Sequence, residues 1–168
     1  MQSIVHFRPA ELIYQLGESR QQLVIRPNVI NHFERYQQRK ALQPEAGGQL
    51  FARLSLDKVV IEKITGPRNT DFRLRTLYVP DRKSEQQEIN RWHAKGLHYI
   101  GDWHTHPEST PSPSMRDHES IRDCFMKSTH HLLGFLLIIV GTAPLPKGLY
   151  VSLNNNERAL PLVLRTEH

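Results

Sequence analysis

The stretch that most limits the fold is LLGFLLIIV, Leu132 to Val140, the longest apolar run of the chain. It falls far short of the roughly 18 residues that a membrane span requires, so it reads as a strand buried in a protein core. The whole chain has 168 residues, enough for one domain with a real core and too few for two ordinary ones. Residues 1–168 are therefore expected to form a single domain. With 38% hydrophobic and 23% charged residues, the composition is that of a globular chain rather than a disordered one. The opening stretch MQSIVHFRPAELIYQ lacks a basic region followed by an apolar segment and a small-residue cleavage site. The expectation is a cytoplasmic protein with no membrane partner.

Other elements are placed around that strand by periodicity. VIRPNVINHFERYQQRK predicts a strand end and then a helix from about Asn28, with Val29, Ile30, Phe33 and Tyr36 on one face. QLFARLSLDKVVIEKITG reads as two strands turning near Ser55 to Lys58 and closing at Gly66-Pro67. RLRTLYVPD alternates as one further strand. Asp81 or Ser84 opens a helix through KSEQQEINRWHAKG that ends at Gly96. LHYIGDWHTH is a short strand broken by Pro107, and Ser114 to about Ser128 is a helix with Met115, Ile121, Cys124 and Phe125 facing inward. GFLLIIVG, GLYVSLN and RALPLVLR complete the chain as strands. The predicted class is α/β: one domain with a mixed central sheet packed against helices.

Cys124 is the single cysteine, which excludes an intrachain disulfide. It also excludes any zinc site built on two or more thiolates, including the two-cysteine signature of zinc deaminases. The net charge is +5, yet the basic residues are scattered, among them Arg26, Arg39, Lys58, Arg73, Arg91, Lys127 and Arg158. A modest preference for an acidic partner follows, and dedicated nucleic-acid binding is not required.

The densest chemistry lies in GDWHTHPESTPSPSMRD, residues 101–117. Residues two apart on a strand share a face, so His104 and His106 aim both imidazoles at one point. Pro107 biases His106 toward extended geometry. A proline-stiffened loop, Pro107 to Pro113, then returns the chain to a helix opening at Ser114, with Asp117 in its first turn. Two imidazoles and a carboxylate suit one zinc ion whose fourth position is left to water, as in catalytic rather than structural sites. Such an ion lowers the pKa of water to about 7 and polarises a carbonyl, both of which a hydrolase needs. Ser114-x-x-Asp117 also matches a helix-capping arrangement, and capping by Ser114 is compatible with ligation by Asp117.

His-x-His, seven residues, then Ser-x-x-Asp resembles the motif of the JAMM (JAB/MPN) metallopeptidases, complete here as His104, His106, Ser114 and Asp117. The resemblance implies an MPN, cytidine-deaminase-like α/β fold and one zinc held by His104, His106 and Asp117. It implies hydrolysis of an amide or isopeptide bond after the C-terminal residue of ubiquitin or a ubiquitin-like protein. It assigns Glu45, in PEAGGQLFARL, as the general base that takes a proton from water and passes it to the leaving amine. Ser114 would hydrogen-bond the developing oxyanion. Glu62 and Glu108 are rival bases on composition, but only Glu45 carries neighbouring glycines, Gly47 and Gly48, that permit close backbone approach.

The likeness covers roughly residues 20–141, is clearest from 64 to 117, and points to one bacterial subgroup. These are the short stand-alone JAMM peptidases of CBASS anti-phage operons, found beside E1/E2-like conjugating proteins. The implied substrate is a nucleotidyltransferase (CD-NTase) conjugated through its C-terminus, and the implied role is that of a deconjugase. Two readings from other classes stand beside it: a catalytically silent MPN-type scaffold, and a DNA-associated protein of the same fold. Among other residues, Trp103 is expected to pack in the core on the face opposite His104. Asp102, on the same face as His104, is a candidate hydrogen-bond partner for a ligand. Cys124 reads as a small core residue, and His130-His131 as structural or surface residues.

Overall fold

The computed structural model describes residues 10–166. MQSIVHFRP, most of the stretch read for targeting, and the last two residues of the expected 1–168 domain lie outside the described residues. The elements run β1 (Leu12–Gln15), β2 (Gln22–Ile25), α1 (Pro27–Tyr36), β3 (Gly47–Leu54), β4 (Lys58–Ile64), β5 (Phe72–Leu74) and β6 (Leu77–Val79). They continue as α2 (Arg82–His93), β7 (His98–Thr105), α3 (Met115–Lys127), β8 (Phe135–Val140), β9 (Leu149–Asn154), β10 (Ala159–Pro161) and β11 (Val163–Leu164). Nine strands form one mixed sheet in the order β10-β9-β8-β7-β3-β4-β2-β1-β11. The β2–β4 and β7–β8 pairs are parallel. The expected α/β class with a mixed sheet packed against helices is what forms.

All six residues of β8 are buried, because the strand is covered on both faces. Leu136, Ile138 and Val140 join the larger core with Val29, Ile30 and Phe33 of α1. Phe135, Leu137 and Ile139 project the other way, into a smaller cluster with Ile121 of α3. This period-two division is why the run carries no polar alternation. Trp103 is 1% exposed in the larger core, on the opposite side of β7 from the histidine it precedes. Its indole N–H donates to the Thr65 carbonyl at 2.8 Å, so the polar end of a buried ring is satisfied.

Three sequence expectations change. RLRTLYVPD is a hairpin, not one strand: β5 and β6 pair with Leu74 opposite Leu77. Its turn, Arg75-Thr76, has no turn-forming residue and is held by outside contacts. The Gln38 side-chain amide donates to the Arg75 carbonyl at 2.8 Å, and the Arg75 guanidinium donates to the Ala41 carbonyl. RALPLVLR is likewise two strands, β10 and β11, which pair at opposite edges of the sheet with only Leu162 between them. The sheet must therefore curl so that its edges meet. Met115 is 79% exposed rather than inward, because it occupies the first helical position of α3, ahead of the apolar stripe. The strand β1 had no expectation, being only four residues long. Among the described residues, no helix is long and apolar enough to cross a membrane.

Gly101 sets how β7 runs between its neighbours. Its φ is +146°, and a Cβ there would lie 1.9 Å from the Leu136 carbonyl oxygen of β8. The β3–β7 register also shifts beside it, between Leu50 and Phe51. Gly101→Ala should therefore cost about 3 kcal/mol or more, read as a large fall in Tm. An unchanged Tm would show that the strand does not depend on this close approach.

Candidate metal centre

Four side chains reach one point from three elements. His104 lies on β7, His106 follows its end, Asp117 is in the first turn of α3, and Glu45 immediately precedes the Ala46–Gly47 entry into β3. The two imidazole Nε2 atoms are 3.1 Å apart. Asp117 Oδ1 is 3.2 Å from His104 Nε2, and Asp117 Oδ2 is 3.3 Å from His106 Nε2. Glu45 Oε1 stands 3.7 Å from His106 Nε2. Ligand atoms 2.0–2.1 Å from one tetrahedral zinc are about 3.3 Å from each other, so this donor set has the spacing of a zinc site. Glu45, His104 and His106 also form a set within 4.8 Å. Of the two carboxylates, Asp117 approaches both imidazoles more closely, so the geometry favours it as the third ligand and leaves Glu45 set back.

Local folding explains each position. Ser114 is the N-cap of α3: its Oγ accepts from the Asp117 N–H at 3.1 Å, while its own N–H donates to Asp117 Oδ2 at 2.8 Å. This capping box uses Asp where Glu or Gln is usual, and the shorter side chain leaves its carboxylate over the helix N-terminus. The His106 N–H donates to the Val140 carbonyl at 2.9 Å, tying the residue after β7 to the end of β8. Glu45 is fixed by its backbone: its N–H donates to the Leu74 carbonyl at 2.8 Å, and its carbonyl accepts from Arg73 Nε at 2.6 Å. Three residues further on, Gly48 packs so closely that a Cβ would lie 1.8 Å from the Thr65 carbonyl oxygen.

Thr105 is a structural support of this region that the sequence does not single out. It is fully buried, its Oγ1 accepts from the Ala46 N–H at 2.9 Å, and it donates to Gln38 Oε1 at 2.8 Å. It thereby fastens the Glu45 segment to the end of β7 and to the segment that follows α1. A buried threonine on a strand carries no pattern of its own, so only the bonding reveals it.

Electrostatics separate the two carboxylates. Burial raises the Glu45 pKa, with the neighbouring His104 and His106 charges only partly opposing it. Burial would raise Asp117 as well, but hydrogen bonds from His104 and His106 outweigh it and hold this carboxyl far below the usual range. For His106, burial is outweighed by the bond and charge of Asp117, and the pKa rises. The rival base Glu62 is instead paired with Arg53 at 3.3 Å, while Glu108 Oε1 is 3.3 Å from His106 Nδ1.

The site opens into a cavity of about 340 Å³ lined by Glu45, Tyr78, Asp102, His104, Ser114 and Asp117, among others. Asp102 accepts from the Tyr99 hydroxyl at 2.7 Å, a bond that turns it to Tyr99 rather than to His104. Tyr99 also touches Cys124 Sγ at 3.0 Å, and burial, reinforced by the Asp102 charge, pushes the Cys124 thiol up to about 11. His130 bonds the Phe125 carbonyl at 2.9 Å, a structural role.

Glu85, also on the cavity wall, is pushed up to about 7 by burial and then by Asp102, with Arg82 opposing. Its folded pKa lies above the unfolded value of about 4.3, so its ionisation penalises the fold increasingly as pH rises from there through about 7. Glu85→Gln should therefore add on the order of 2 kcal/mol of stability at pH 8 and little at pH 4. Equal effects in denaturant melts at both pH values would contradict this assignment.

Residues 29–154 match the family of prokaryotic homologues of the JAB domain. The chain is 32% identical over 134 residues to a CD-NTase/cGAS isopeptidase of Vibrio cholerae, covering 78% of this chain and 83% of that protein. It is 33% identical over 101 residues to an Escherichia coli protein of the same name, covering 58% and 65% of the two chains. A solution structure of a Desulfitobacterium hafniense protein has the same fold, with a TM-score of 0.59 at 18% identity over 84% of this chain and 88% of that one.

Proposed function

The chain belongs to the prokaryotic JAB-domain family and is a zinc-dependent metallopeptidase of JAMM type, and from that premise we propose that it is a deconjugase. It cleaves the amide or isopeptide bond formed by the C-terminal residue of a conjugated protein. The observation that carries this reading is the convergence of two imidazoles and two unlike carboxylates in one cavity, with the nearer carboxylate held ionised and the farther one raised.

In this reading His104, His106 and Asp117 hold a single zinc ion, with one coordination position left to water. Bound zinc supplies Lewis acidity that polarises the scissile carbonyl and makes water acidic near neutral pH. Glu45 accepts the proton of the attacking water on a carboxylate oxygen and returns it to the leaving amine nitrogen. Its raised pKa suits both transfers, since a base works best when its pKa approaches the working pH. Ser114 orients Asp117 through its backbone N–H, and its exposed hydroxyl hydrogen remains available to the oxyanion. No covalent acyl intermediate is needed, and Cys124, with its thiol pKa near 11, takes no part. The names of the two CD-NTase/cGAS isopeptidase relatives support a CD-NTase as the released protein; an E1/E2-like conjugating partner and a role in anti-phage defence complete the proposal on the family resemblance.

Purified protein should hold about one zinc per chain by elemental analysis, largely lost in Asp117→Ala. Glu45→Gln should keep the metal and lose roughly 10²- to 10⁴-fold in cleavage rate. The substrate to use is a nucleotidyltransferase with a reporter protein amide-linked to its C-terminal residue. Chelation should abolish cleavage and thiol alkylation should spare it; inhibition by alkylation alone would overturn the mechanism.

A further inference from the structure

The geometry points to Glu108 as a positioning residue that fixes the tautomer and orientation of His106. The inference rests on the metal-ligand reading of His106 above. That reading uses Nε2, which faces His104 and Asp117. A neutral imidazole that offers Nε2 to a metal carries its proton on Nδ1. Here Nδ1 is buried and makes no hydrogen bond. A buried N–H left without an acceptor is unfavourable, and metal-bound histidines almost always donate this proton to a carboxylate, a carbonyl or water.

Glu108 supplies the acceptor. Its Oε1 stands 3.3 Å from His106 Nδ1, close enough to pair but without the alignment of a hydrogen bond. Little movement is required to complete it. The Glu108 backbone is already anchored, its carbonyl accepting from the Thr142 N–H at 2.8 Å, with the next carbonyl, of Ser109, accepting from Ala143 at 3.1 Å. Gly141 packs against the same carbonyl, where a Cβ would come within 2.6 Å. The Glu108 side chain, by contrast, is 52% exposed and free to rotate. A fixed backbone and a turning carboxylate place the acceptor beside Nδ1 at the cost of one rotamer change. The two carboxylates on His106 thus act at opposite ring nitrogens: Asp117 beside Nε2 in the site, Glu108 beside Nδ1 behind it.

The test is zinc affinity by competition with a chromophoric chelator, for wild type, Glu108→Ala and Glu108→Gln. Glu108→Ala should weaken zinc binding about 10-fold or more, within the range typical for such supporting carboxylates. Glu108→Gln retains a side-chain carbonyl that accepts an N–H, and should recover most of that loss. Melting of the metal-free proteins should not differ, since Glu108 lies at the surface. Zinc affinity of Glu108→Ala within twofold of wild type would overturn the inference, as would a Gln variant no better than the Ala variant. A wild-type protein that binds no zinc would instead defeat the underlying metal reading, and the two failures are distinguishable.

Discussion

The Asp117 carboxylate is held by the reciprocal bonds of the α3 capping box, and the rest of the site is arranged about where that leaves its oxygens. One oxygen is shared between the Ser114 N–H and His106, while the other faces His104. The same two bonds that start a helix therefore aim a carboxylate at His104 and His106. The helix N-terminus and the imidazoles all favour the ionised form, so this carboxylate is kept as an acceptor even though burial opposes it. Glu45 enters from a different element and faces the same imidazoles from farther off, without a hydrogen bond from them, so burial prevails and its pKa rises. One cavity thus holds two carboxylates with opposite pKa displacements, the condition under which one serves as a ligand and the other as a base.

The scaffold that brings these groups together is the pairing of β3 with β7 and β8. Gly47 stands opposite His104, and β7 runs parallel to the wholly buried β8. Glycines at 48 and 101 let neighbouring backbones approach where any side chain would collide with a carbonyl. Thr105 and the His106 N–H then fasten the end of β7 to the Ala46 segment and to β8. The side chains of the site sit at the end of β7, just before β3 and in the first turn of α3, on a frame that their own backbones help to close.

Much of this was legible in the sequence. The 104–117 motif projects onto the structure with its spacing intact, because strand alternation and a capped helix turn are local rules. The same holds for α1, whose buried Val29, Ile30 and Phe33 follow its periodicity. What the sequence hid depends on distant partners. The Arg75-Thr76 turn exists because Gln38 and Ala41 hold it, and RALPLVLR divides because the two edges of a curled sheet need separate strands. Asp102 bonds Tyr99 rather than His104, while Glu108, considered only as a rival base, came to lie beside His106 Nδ1. None of these is a matter of periodicity, so no reading of spacing alone could supply them.

The central claim is that His104, His106 and Asp117 bind one metal ion while Glu45 stands off it. Anomalous diffraction at the zinc edge from crystals of the zinc-loaded protein addresses this most directly. The account predicts one strong peak within about 2.0–2.2 Å of both Nε2 atoms and an Asp117 oxygen, with Glu45 outside that distance. A peak bonded to Glu45 with Asp117 turned away, or no peak between the two histidines, would contradict it.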